Sequence, residues 1–227
     1  MSRASLPRVS EYLDIITRLP SDAYLRLEDV GWDEYEALVS ALEAKPNLRL
    51  TYRQGTLEIM TPSGLHESLK TFITRLLQVV SEECKVELET RGSTTYKDQI
   101  SGEGTEPDEC VYVGQPERIL GKDRITLGVD PAPEIMIEID VTHGSNSKLT
   151  IYEDYGVPEV WHYSKNRMRI FELTAQEYKE TDRSRYFPFL TTDQLTKFMN
   201  RSQLEGQSKT LKAFREWLRS IIQKNHV

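Results

Sequence analysis

Residues 133–141 constrain the fold more than any other stretch, because they read PEIMIEIDV and are almost continuously apolar apart from two acids. Such a run is typical of a strand that is buried on both faces of a sheet. Glu138 and Asp140 are two residues apart, so a strand points both side chains to the same side. Ile137 and Ile139 point to the opposite side. The sequence therefore predicts a central strand that carries two carboxylates into the protein.

The surrounding pattern of apolar residues predicts an α/β fold, in the broader sense α+β, with a mixed central sheet flanked by helices. Residues before 30 look irregular apart from a short helix. The predicted elements are helices at 10–18, 32–44, 66–83, 144–155 and 191–224, a β-hairpin at 48–60, and strands at 86–90, 94–97, 108–113, 157–164 and 168–173.

Composition limits the class of protein. The 227 residues carry a net charge of −7, which counts against a protein that coats nucleic acid but not against a nuclease, whose metal-binding acids add negative charge. No apolar run is long enough to cross a membrane, and the N-terminus does not resemble a secretory signal. Cys84 and Cys110 lack metal-site spacing, so we expect two reduced thiols in a cytoplasmic protein. The sequence also lacks the glycine-rich loops of nucleotide-binding proteins and the serine elbow of hydrolases.

A third acid precedes another predicted strand. Pro107 restrains the chain directly before Asp108, which places this side chain at a strand entrance. Together with Glu138 and Asp140, Asp108 would complete a site for Mg²⁺ or Mn²⁺, because such ions prefer oxygen ligands. Lys148 lies eight residues after Asp140 at the start of a helix, from which its ammonium could stabilise charge on a phosphate.

An interpretation without a metal is equally open at this point. The acids of residues 133–141 could face solvent on an edge strand, or pair with Arg91, Lys97 or Arg169. A lysine near a helix start is usually solvated, so Lys148 alone indicates little.

Four strings carry a family resemblance: YRQGTLEIMTPSGLHE at 52–67, EPDECVYV at 106–113, IEIDVT at 137–142 and KLTIYEDYGVPEVWHY at 148–163. They resemble the Uma2 family of restriction-type endonucleases, a branch of the PD-(D/E)XK nuclease superfamily. The resemblance spans roughly 48–173, and GVPEVW is its most specific part. It implies the common nuclease core, with Asp108 and Glu138 as metal ligands.

This chain departs from the superfamily pattern at the third position of the (D/E)XK motif, where Asp140 replaces lysine. The resemblance then requires the lysine role to have moved, with Lys148 as first choice and Lys97 as second. Many members also carry an acid in the first hairpin, for which Glu58 or Glu67 could substitute here. We expect His66 to line the site.

Other aromatic and basic residues allow weaker interpretations. Trp161 could stack on a base, but sheet packing is favoured. We expect His143 to lie at most behind the site and His162 to be incidental. The lysine and arginine side chains that alternate along residues 165–169, and those of the 207–227 tail, could contact phosphates or simply be solvated.

The sequence as a whole predicts a metal-dependent endonuclease that cuts DNA with Asp108, Glu138, Asp140 and Lys148, and that works as a homodimer. Its predicted parts are an N-terminal extension with a helix (1–47), the nuclease-like core (48–175) and a C-terminal helical extension packed on the core or on a partner (176–227). Two alternatives remain: a non-catalytic nucleic-acid-binding or interaction module of the same fold, and a hydrolase for a small phosphorylated substrate.

Overall fold

The computed structural model describes residues 5–43, 48–122, 125–126, 129–141, 146–175 and 177–225. Its helices are α1 (Ser5–Ile16), α2 (Trp32–Leu42), α3 (Gly64–Cys84), α4 (Asn146–Asp154), α5 (Thr192–Glu205) and α6 (Gln207–Asn225). Its strands are β1 (Tyr24–Leu27), β2 (Arg49–Arg53), β3 (Thr56–Met60), β4 (Leu88–Thr90), β5 (Tyr96–Asp98), β6 (Glu103–Thr105), β7 (Glu109–Val113), β8 (Ile135–Asp140), β9 (Glu159–Ser164), β10 (Arg167–Thr174) and β11 (Glu177–Thr181). None of the described helices combines the length and apolarity needed to cross a bilayer.

The chain forms two compact units. The first comprises Met1–Gly64 with Thr95–Glu106, and the second comprises Leu65–Thr94 with Pro107–Val227. These boundaries follow from contacts within the chain. They differ from the three predicted parts (1–47, 48–175 and 176–227), and that division stays a prediction.

The first unit contains an antiparallel sheet in the order β1–β3–β2–β6–β5. The predicted hairpin is confirmed: β2 and β3 are joined at Gln54 and Gly55, which both have positive φ, as such tight turns require. The expectation of irregular structure before residue 30 is wrong in one respect, because β1 pairs with β3. This four-residue strand is too short and too exposed to leave a periodic apolar signal.

Helix α2 and this sheet share an apolar cluster. Tyr35 of α2 stacks on Tyr52 of β2, with ring centroids 4.7 Å apart. Gly104 of β6 lies so close to Tyr35 that a Cβ there would be 2.1 Å from the phenol oxygen. The position therefore admits only glycine while the tyrosine keeps its place.

We predict that Gly104→Ala displaces Tyr35 and lowers the free energy of unfolding by about 1–3 kcal/mol, as overpacked cores do. Urea unfolding measures this. Gly64→Ala is the matched control, because a Cβ there meets no other atom within 4 Å. Equal stability of wild type and Gly104→Ala would contradict the packing argument.

The second unit contains a six-stranded sheet in the order β11–β10–β9–β8–β7–β4. Strands β8 and β9 are parallel and the other neighbours are antiparallel, so the sheet is mixed. Helix α4 lies in the crossover between the two parallel strands, which need such a connection. The predicted mixed α/β fold is confirmed, and β8 is buried along its whole length.

One face of this sheet belongs to the main apolar core. Side chains from β8, β9 and β10 share one cluster with α3, α5 and α6: Ile137, Ile139, Trp161, Tyr163, Met168 and Ile170 from the strands, with Phe72, Leu76, Phe198 and Phe214 among the helical residues. The packing prediction for Trp161 is confirmed. Residues that alternate with these strand positions point to the opposite face. The acids of β8 are therefore separated from the apolar core by the sheet itself.

The C-terminal helix predicted at 191–224 is two helices, because Gly206 interrupts it with φ +86°. Phe198 and Phe214 pack edge to face, with centroids 5.0 Å apart, and join α5 to α6. Two arginines of the tail form ion pairs with α3: Arg215 Nη2 is 2.7 Å from Glu82 Oε2, and Arg219 Nε is 2.7 Å from Glu83 Oε2. This pairing leaves the tail less suited to bind phosphates.

Candidate active site

Strand β8 brings Glu138 and Asp140 to one face of the six-stranded sheet, and both are buried. Buried carboxylates are costly unless other groups compensate them. Helix α4 compensates Glu138, because Lys148 Nζ lies 2.8 Å from Glu138 Oε2 and the hydroxyl of Tyr152 donates to Oε1. Lys148 and Tyr152 are four residues apart, so one helix face presents both.

Asp108 immediately precedes β7 and reaches β8 through its side chain. Its Oδ2 accepts a hydrogen bond of 2.8 Å from the backbone N–H of Ile139 and lies 3.0 Å from His66 Nε2. Strand β7 begins at Glu109, and its pairing with β8 reaches only as far as Ile137. The Asp108 carboxylate therefore accepts the hydrogen bond from the Ile139 N–H in place of a backbone carbonyl. The arrangement fixes Asp108 beside the residue that follows Glu138. His66 comes from the first turn of α3 and is buried.

The buried acids carry unequal proton affinities. Burial, together with the charge of Asp108, raises the pKa of Glu138 to about 7 against the lowering influence of Lys148. Burial would raise the pKa of Asp108 as well, but His66, Lys148 and the Ile139 N–H lower it to about 2. Burial disfavours the ammonium of Lys148, yet the charges of Glu138, Asp108 and Asp140 raise its pKa. Lys148 therefore stays charged within reach of all three acids.

Asp140 has a partner that the sequence did not indicate. His162 of β9 was expected to be incidental, but it is only 3% exposed and its Nε2 lies 2.5 Å from Asp140 Oδ2. Its Nδ1 lies 3.0 Å from Nη2 of Arg169 on β10. The signal available was alternation: with Trp161 in the core, His162 must face the side of the sheet that carries the acids.

The remaining predicted residues lie further from this group or in the first unit. Glu67 is half exposed, with Oε1 3.6 Å from His66 Nδ1. In the first unit, Glu58 Oε1 lies 3.4 Å from Arg26 Nη1, and Lys97 Nζ lies 2.7 Å from Glu36 Oε1. His143 is outside the described residues. The second unit thus brings together Asp108, Glu138, Asp140, Lys148 and His66, whose roles stay predictions.

Within the parts of the chain that the structure describes, no three His, Cys, Asp or Glu side chains are arranged to hold a metal ion. Asp108 and Glu138 stay the predicted ligands, and two protein carboxylates can be enough for Mg²⁺. Mg²⁺ is commonly held in this way and takes its other ligands from water and substrate phosphate. In the structure, the ammonium of Lys148 is the positive charge beside Glu138.

A mixed sheet with buried acids beside a lysine is the architecture that the sequence resemblance implies for a nuclease-like α/β protein. The chain belongs to the Uma2 family, described as "Putative restriction endonuclease", whose model matches residues 32–199. This membership supports a nuclease function.

A search of curated proteins found no match. Among solved structures, the chain is similar to a crystal structure described as "a putative nuclease belonging to DUF820" from Anabaena variabilis ATCC 29413. The TM-score is 0.48 and the sequence identity is 17%, over 66% of this chain and 90% of that chain.

We predict that the metal-free protein loses stability as the pH rises from about 5 to about 8, because folded Glu138 binds its proton more tightly than the unfolded chain does. The raised pKa of Glu138 corresponds to a loss on the order of 3 kcal/mol. Urea unfolding in the presence of a chelator measures it. Glu138→Gln, which cannot ionise, should show a flatter profile, and identical profiles would contradict the prediction.

Proposed function

We propose that this protein is a metal-dependent endonuclease that hydrolyses phosphodiester bonds in DNA. The observation that carries the proposal is the buried group of Asp108, directly before β7, and Glu138 on the adjacent β8, with the Lys148 ammonium 2.8 Å from Glu138 Oε2. Structural ion pairs can also be buried, but membership of a family described as "Putative restriction endonuclease" favours a catalytic role.

Asp108 and Glu138 would hold Mg²⁺ or Mn²⁺ between them. A bound ion of this kind polarises a phosphodiester and makes a coordinated water more acidic. Burial and the charge of Asp108 raise the pKa of Glu138, which supports this assignment, because a divalent cation would stabilise the ionised form of both acids. His66 and the Ile139 N–H orient the Asp108 carboxylate, and Tyr152 orients that of Glu138.

Lys148 would take the role of the lysine that Asp140 replaces in the (D/E)XK motif. Its ammonium is charged and stands at the end of a flexible side chain on α4. It can therefore turn from Glu138 to a phosphate oxygen when substrate binds. There it would stabilise the negative charge that develops as the phosphodiester bond breaks. Lys97, the second choice, already pairs with Glu36 in the first unit.

DNA requires cationic contacts outside the acidic group. Lys165 and Arg167 at the β9–β10 turn are exposed and are the residues we propose for the phosphate backbone. We further propose a homodimer, because cutting both strands of a duplex needs two active sites. Cys84 and Cys110 are not joined in a disulfide, and we propose that the protein works in the reducing cytoplasm.

The second candidate function is a non-catalytic module that binds nucleic acid. Asp140 at the position of the motif lysine favours it, because the cation that would stabilise charge during cleavage is missing at that position. Binding of Mn²⁺ without nicking of supercoiled plasmid would support this candidate over the first. Cleavage of a chromogenic phosphodiester but not of DNA would instead support a hydrolase for small phosphorylated substrates.

We predict that the wild-type protein nicks supercoiled plasmid with Mg²⁺, and that Lys148→Met lowers kcat by at least about 100-fold, as loss of a charge-stabilising group does. Asp108→Asn should abolish nicking. The matched control is Lys97→Met, which removes the other candidate lysine and should keep wild-type activity. Gel assays over a range of DNA concentrations measure this.

The opposite result for the two lysines would move the catalytic assignment to Lys97. Nicking by Asp108→Asn at the wild-type rate would refute the proposed site.

A further inference from the structure

Three residues on adjacent strands form a polar chain that the proposed reaction does not use. Asp140 on β8 contacts His162 on β9, and His162 contacts Arg169 on β10. The strand register places His162 opposite both Glu138 and Arg169, so the chain crosses the face of the sheet that carries the acids. Asp140 and His162 are buried, and Arg169 reaches the partly exposed end.

The hydrogens of this chain follow from its chemistry. A guanidinium group can only donate hydrogen bonds, so Nδ1 of His162 must accept from Arg169. When Nδ1 accepts, Nε2 carries the ring hydrogen and donates to Asp140 Oδ2. The imidazole thus connects a permanent positive charge to the carboxylate that stands where the motif has lysine.

We propose that His162 is a positioning residue that holds Asp140 away from the metal-binding pair and leaves the ammonium of Lys148 to Glu138. This inference rests on the proposed function. Asp140 would then not be a metal ligand, contrary to the prediction from the sequence. Asp108 and Glu138 then remain as the two proposed ligands of the ion.

The charges make this arrangement necessary. If Asp140 were not held, it would compete with Glu138 for the ammonium of Lys148 or with both acids for the ion. Arg169 compensates Asp140 through His162, and a further cation–π contact keeps its guanidinium 5.3 Å from the ring centroid of Phe171. A departure from the lysine motif is therefore matched by partners on the two neighbouring strands.

Metal affinity tests the first half of the inference without requiring activity. Calorimetric titration with Mn²⁺ should give Asp140→Asn a Kd within about threefold of wild type, whereas Asp108→Asn should weaken binding at least about tenfold. An equal loss in both variants would overturn the inference, because Asp140 would then be a ligand. This outcome would leave the nuclease proposal intact.

A double-mutant cycle on nicking tests the second half. We expect His162→Leu to lower kcat about tenfold at nearly constant KM, because the freed Asp140 draws Lys148 from its place. In an Asp140→Asn background the same change should have little further effect. His162→Gln should restore most of kcat, since its amide can accept from Arg169 and donate to Asp140.

Additive losses in that cycle would overturn the inference, because a merely structural histidine gives them in either background. Arg169→Gln should lower kcat in the same way as His162→Leu, but by less. The matched control is Arg183→Gln, because Arg183 is an exposed arginine whose ion pair in the described structure is with Asp182. An equal effect of the two arginine variants would also count against it.

Discussion

The rest of the site depends on the burial of two carboxylates, one directly before β7 and one on β8. Burial raises the pKa of Glu138 to about 7, and the negative charge of Asp108, which His66 and the Ile139 N–H stabilise, adds to the rise. A single lysine offsets part of the cost of this burial at 2.8 Å. The proposed cation site uses this same pair of acids, and α4 is the element that supplies positive charge to Glu138 in the structure.

The six-stranded sheet keeps the buried acids on one face and the apolar core on the other. Ile137, Ile139 and Trp161 bind the sheet to helices α3, α5 and α6, and this apolar contact stabilises the strands irrespective of what the other face carries. The acids can then occupy alternate positions of the same strands without entering the core. Similarly, the crossover that parallel strands require delivers α4, and with it Lys148 and Tyr152, to the acidic face.

Much of this was predictable from the sequence, for physical reasons. The strand β8, the helix α3 and the β9–β10 hairpin have strong apolar periodicity or turn residues with positive φ, and these are local signals. The short strands β1 and β6 were not predictable, because they pair with β3 and β2, which are distant from them in the chain. Strand β11 pairs with its neighbour β10, but it is mostly exposed and polar and so leaves no apolar signal. The contact of Lys148 with Glu138 agrees with the expected position of the lysine. The partnership of Asp140 with His162 was missed, because it depends on strand register, which one sequence does not provide.

Crystals soaked in Mn²⁺ test the central claim most directly, because anomalous scattering locates the ion without reference to activity. The account predicts one peak about 2.2 Å from a carboxylate oxygen of Asp108 and from one of Glu138, with the Lys148 ammonium moved off Glu138. A protein that takes up no ion there, or that binds it elsewhere while Lys148 remains on Glu138, would contradict the account.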